Sequence, residues 1–148
     1  MRKFTDRQGR EWQIALTLGS AMQVKASLEI DLLAPEAGDP PLLSRLGTDE
    51  FLLGSVICCL LQGQMETAGV TEADIYAAFD GPTLLKVSEA FFAELEDFFQ
   101  SRGRFDRAGA VRKQAALMQK AIRQAQEEIE KIELSDVIRG SRPGASPA

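Results

Sequence analysis

The most extended pattern of apolar and polar positions lies near the C-terminus. Val111, Ala115, Met118, Ile122, Ala125, Ile129 and Ile132 recur at alternating intervals of four and three. This is the period of a helix seam built to lie against another helix, and it predicts a long amphipathic helix over about 106–134. Upstream, Leu84, Val87, Phe91, Leu95 and Phe98, widened by Leu85, Phe92 and Phe99, predict another amphipathic helix over about 83–100. Its polar face holds Glu89, Glu94, Glu96 and Asp97.

Between 48 and 69 the apolar residues Phe51, Leu52, Leu53, Val56, Ile57, Cys58, Cys59, Leu60 and Leu61 cover most of a helix's circumference. A helix apolar nearly all round belongs in a core; Thr48 is expected to cap it and Gly69 to end it. Thr71-Glu72-Ala73-Asp74 starts a short helix that buries Ile75, Ala78 and Phe79, and Asp80-Gly81-Pro82 stops it. Near the N-terminus, Trp12, Ile14 and Leu16 alternate with Gln13, Ala15 and Thr17, the period of a half-buried strand. With a turn at Asp6-Arg7-Gln8-Gly9, they predict a β-hairpin within 2–17. A helix over 20–29 follows, capped by Ser20, with Met22, Val24 and Leu28 facing inward. The three prolines of APEAGDPP make a loop at 34–41, and PLLSRLG allows one short turn of helix. The fold class is therefore mainly α: an N-terminal β-hairpin packed on a small helical domain over 1–101, a long amphipathic helix over 102–135, and a flexible tail over 136–148.

Charge sharpens the reading of the last helix. The net charge of −5 is the sum of −9 over residues 1–101 (7 Lys and Arg, 16 Asp and Glu) and +4 over 102–148 (10 against 6). Within the helix, residues 102–123 hold seven bases and one acid, while 124–136 hold five acids and one lysine. This order opposes the helix dipole, which favours acids first and bases last by about 0.3–1 kcal/mol per well-placed charge. Packing or a partner must offset it. Val111, Met118, Ile122, Ile129 and Ile132 are the expected protein-binding seam, with Arg104, Arg107, Arg112, Lys113, Lys120 and Arg123 as electrostatic contacts. An antiparallel homo-oligomer or a dock onto the acidic body would satisfy the charges; a parallel homodimer would set Glu128 against Glu133 of its partner.

The chemistry-bearing residues are few. There is no histidine, which removes the usual general base near neutral pH and the commonest metal ligand. Cys58 and Cys59 are adjacent, point about 100° apart on a helix and cannot bridge one another without distortion. Neither GxGxxG nor GxxxxGK[ST] occurs. Glu94, Glu96 and Asp97 read as a solvated face and not as a metal site. No catalytic residue, metal ligand or cofactor is expected, and the protein is expected not to be an enzyme. The opening MRKFTDRQGREW lacks a signal-peptide core, and the longest apolar run is short of the ~20 residues needed to span a bilayer, so a reducing cytoplasmic setting is expected. Nucleic acid is a weak candidate partner, because the basic segment carries no aromatic residue beyond Phe105.

The order of elements also resembles a family. The opening F-T-D-x-x-G-R-x-W (Phe4, Thr5, Asp6, Gly9, Arg10, Trp12), the run G-V-T-E-A-D-I (Gly69 to Ile75), Asp80-Gly81 and L-E-D-F-F (Leu95 to Phe99) are similar to small proteins encoded among phage and prophage tail genes, the tail assembly chaperones and tail-associated proteins. The resemblance covers about residues 1–100. It implies a non-enzymatic protein of the host-cell cytoplasm that holds a helical tape-measure protein soluble during virion assembly. The rival expectations are a structural tail or head–tail joining subunit, and a small DNA-associated regulator using the basic 102–123 segment.

Overall fold

The computed structural model describes residues 1–140, and the chain divides into two units, Met1–Ala115 and Ala116–Ala148. The fold is mainly α, with an N-terminal two-stranded antiparallel hairpin and a long C-terminal helix.

In the first unit, β1 (Arg2–Thr5) pairs with β2 (Glu11–Ile14) in the register Phe4↔Trp12. Period-2 alternation puts Phe4, Trp12 and Ile14 on the buried face. The turn is organised by Asp6, whose Oδ1 accepts from the backbone N–H groups of Gln8 and Arg10 and whose Oδ2 accepts from Arg10 Nε and Trp12 Nε1. Gly9, at φ 80°, closes it. The residues of the F-T-D-x-x-G-R-x-W run thus form one hydrogen-bonded knot.

Helix α1 (Leu18–Leu28) begins one turn earlier than the alternation suggests. Thr17, not Ser20, is its N-cap; Ser20 completes a capping box from the third helical position. The buried residues are Ala21 and Val24; Met22, about 200° around the helix from Val24, is 63% exposed. Helix α2 (Leu42–Thr48) takes Thr48 as its last residue, so the cap of α3 (Glu50–Leu60) falls to Asp49, whose side chain accepts from the N–H groups of Phe51 and Leu52. The expected single central helix breaks at Leu61. Helix α4 (Gln62–Ala68) leaves at 65° to α3 and ends at Gly69, φ 68°. The bend returns Met65 to the core, with its sulfur 3.7 Å from the Cys58 thiol. No single helix among the described residues is long and apolar enough to cross a membrane.

Helix α5 (Glu72–Ala78) carries a Thr71–Asp74 capping box, and α6 (Gly81–Ser101) starts from the Asp80 cap with Pro82 in its first turn. Val87, Phe91, Phe92, Leu95, Phe98 and Phe99 of α6 are buried and form the floor under the hairpin. Helix α7 (Phe105–Gly140) runs longer than 106–134. Residues 136–140, expected in a flexible tail, continue it because Ser135, Asp136, Val137 and Ile138 contain neither proline nor glycine to stop a helix. The remaining 141–148 of that expected tail lie outside the described residues. The first turns of α7 belong to the first unit, where Ala108 and Val111 enter the core, so this unit ends at Ala115 and not near 101.

Candidate protein-binding surface

Met118, Ile122, Ala125, Ile129 and Ile132 fall within about 100° of arc on α7, at 100° per residue. Ile122, Ile129 and Ile132 are 37%, 55% and 61% exposed, and Met118 is half-buried. Val111 does not belong to a partner-facing seam: it is fully buried within the first unit. Its apolar period is spent on the chain's own core.

The expected electrostatic contacts divide in two. Arg104 forks onto Asp106, its Nε and Nη2 donating to the two carboxylate oxygens at 3.1 and 2.9 Å. Arg107 Nη2 donates to Glu36 at 2.6 Å, and Arg112 donates to Glu96 at 2.8 Å. These arginines make ion pairs within the first unit, those of Arg104 and Arg112 exposed and weak. The Arg104 fork holds the Asp106 carboxyl well below the usual carboxylate range, and the Arg107 hydrogen bond lowers Glu36. Lys113, Lys120 and Arg123 are exposed and make no ion pair among the described residues.

The carboxylates of α6 are not one solvated face. Glu94 is buried, accepting from the Met1 amine at 2.9 Å and from the Leu16 N–H at 3.2 Å, so it fastens the chain entry and the end of the hairpin to α6. Gln64 of α4 fastens the other side: its side-chain amide both accepts from the Gln13 N–H and donates to the Gln13 carbonyl, capping the outer edge of β2 as a neighbouring strand would. The Cys58 thiol is pushed up to about 11 by burial, with Glu72 nearby adding to the effect, which makes it a poor nucleophile. No group of three or more histidine, cysteine, aspartate or glutamate side chains suited to a metal ion occurs among the described residues.

Residues read as inward-facing but exposed are Met22, Leu85 of α6 at 41%, and, most of all, a phenylalanine of α3. Phe51, expected in the core, is 90% exposed at the start of α3. It borders an open groove of about 510 Å³ with Gly54, Ser55, Tyr76, Phe79 and Leu84. Ser55, one turn beyond Phe51 on the same face, is the signal that this side of α3 is not wholly core-facing.

No protein-family model, curated protein or solved structure matches the chain.

Proposed function

We propose that this protein is a non-enzymatic, helix-mediated protein-binding subunit, acting as a phage or prophage tail assembly chaperone in the host cytoplasm on a tape-measure-like partner. The observation that carries this is the seam on α7: Met118, Ile122, Ile129 and Ile132 at heptad spacing, with the isoleucines exposed and with Lys113, Lys120 and Arg123, which make no ion pair among the described residues, on the opposite face of the helix. Full burial of a large aliphatic side chain is worth about 1.5–3 kcal/mol, and the isoleucines, 37–61% exposed, forgo part of it. A helical partner recovers it by laying its own apolar stripe along the seam. The resemblance of residues 1–100 to the tail-gene proteins supplies the class of partner. A nucleic-acid role is weaker, because Arg104, Arg107 and Arg112 already serve Asp106, Glu36 and Glu96.

Co-expression with a tape-measure-like product of a neighbouring gene tests the reading. Wild type is expected to co-purify with it and keep it soluble, and Ile132→Asp is expected to lose it while retaining the circular dichroism of the wild type. Equal capture by both proteins would remove the seam as the binding surface.

A further inference from the structure

We infer that the seam of α7 is built to pair with a second copy of itself, antiparallel, in a register centred between Arg123 and Gln124. This rests on the protein-binding reading of the seam: in the free protein a second copy covers it, and a helical partner displaces that copy. The first argument is volume. With Ala115, Ile122 and Ile129 at one set of seam positions and Met118, Ala125 and Ile132 at the other, antiparallel pairing sets Ala115 against Ile132, Met118 against Ile129 and Ile122 against Ala125, each twice by symmetry. The Ala115–Ile132 and Ile122–Ala125 layers then hold one large and one small side chain each and the Met118–Ile129 layer holds two large ones, so layer volumes vary less than in parallel pairing. Parallel pairing would instead stack Ala115 on Ala115 and Ala125 on Ala125, leaving voids between layers of paired isoleucines that hold the helices apart. Cores reject such alternation of void and bulk.

The second argument is charge. In the antiparallel register Gln119 flanks Gln126 of the second copy, Glu128 flanks Ala121, and no like charges meet across the seam. Lys113, Lys120 and Arg123 lie about 140–160° around the helix from the seam, so they stay in solvent on the outer face of the pair. Parallel pairing would put Glu128 against Glu133 twice and gather both acidic ends together. The pairing begins at Ala115, because Val111 is committed to the core of its own chain. It spans residues 115–132, about 27 Å at 1.5 Å per residue. This is short for two strands, so a reversible dimer is expected.

The test uses the full chain. Sedimentation over a concentration series is expected to show a monomer–dimer equilibrium for wild type, and a monomer with unchanged circular dichroism for Ile129→Asp. Separately, Met118→Cys and Ile129→Cys are oxidised alone and after mixing, with disulfides located by peptide mapping so that Cys58 and Cys59 are told apart. A 118–129 disulfide that forms only on mixing supports the register, since 118 and 118 of the second copy lie about 16 Å apart along the axis, beyond disulfide reach. A 129–129 disulfide in the single variant overturns it in favour of parallel pairing. A monomer at every concentration that still captures the tape-measure-like product also overturns it, and leaves the protein-binding reading standing. A monomer that captures nothing fells both.

Discussion

In α6 the stripe residues Val87, Phe91, Leu95 and Phe98 are at most 6% exposed, while in α7 Ile122, Ile129 and Ile132 are 37–61% exposed. Both helices have the amphipathic period. In α6 the stripe meets the hairpin, and its phenylalanines also meet edge to face, with ring centroids of Phe91–Phe92 and Phe98–Phe99 at 5.6 and 5.5 Å. The period tells which face of a helix is to be covered; it does not tell what covers it. In α6 the cover is local and supplied by the same chain. In α7 the stripe beyond Val111 is aliphatic, two alanines among Met118, Ile122, Ile129 and Ile132, and its isoleucines stay exposed.

Truncation separates the two stripes most sharply. Phe91→Ala should destabilise the protein by about 3–5 kcal/mol, the usual cost of removing a buried aromatic. Ile129→Ala, measured by urea denaturation in dilute solution where the chain is monomeric, should stay within about 0.5 kcal/mol of wild type. A large effect of Ile129→Ala under those conditions would mean that the α7 stripe is covered by its own chain and that the comparison is false.

The period of α6, the hairpin alternation and the seam were all legible in the sequence, because each depends on residues close together in the chain. The misreadings cluster where distant residues decide. Glu94 is buried because the Leu16 N–H, 78 positions away, needs an acceptor. Arg107 is tied down by Glu36, 71 positions away. Caps were misplaced by one to three residues for a related reason: α2 claims Thr48, which leaves Asp49 to start α3, and only the packing of the two helices fixes where one ends. Beyond Ala115 the stripe is exposed at Ile122, Ile129 and Ile132 and half-buried at Met118, whereas Val111 shares its period and is consumed by the core.

A smaller effect probes how the hairpin is fastened into the first unit. Asp6→Ala removes the acceptor for Trp12 Nε1 and Arg10 Nε and should cost about 1–3 kcal/mol, the penalty for stranding buried donors. Burial raises the Asp6 carboxyl's pKa, but the hydrogen bonds from Trp12 and Arg10 and the charge of Arg10 outweigh it, and the net shift is downward. A carboxyl lowered in the folded state binds its proton first in the unfolded chain. Its contribution is therefore present above about pH 4 and is lost as pH falls through the lowered value. Acid titration followed by Trp12 fluorescence should show wild type losing stability on going below pH 4, with a shallower loss in Asp6→Ala. Parallel curves for the two proteins would show that the knot does not hold the hairpin.

The smallest effect is expected at Phe51, where an apolar side chain lies open in the first unit as the isoleucines do in α7. Phe51→Ser removes an aromatic ring that is 90% exposed and leaves the Asp49 cap and the buried Leu53, Val56 and Ile57 untouched. Stability should change by no more than about 0.5 kcal/mol, as for surface substitutions away from caps and core contacts. Capture of the tape-measure-like product should also be unchanged, because one ring beside a groove lacks the repeated spacing by which we propose α7 holds a helix over several turns. Binding assays on Phe51→Ser beside Ile132→Asp turn this into a direct comparison of the two exposed apolar regions. Loss of capture in Phe51→Ser alone would move the binding surface from α7 to the groove bordered by Tyr76, Phe79 and Leu84.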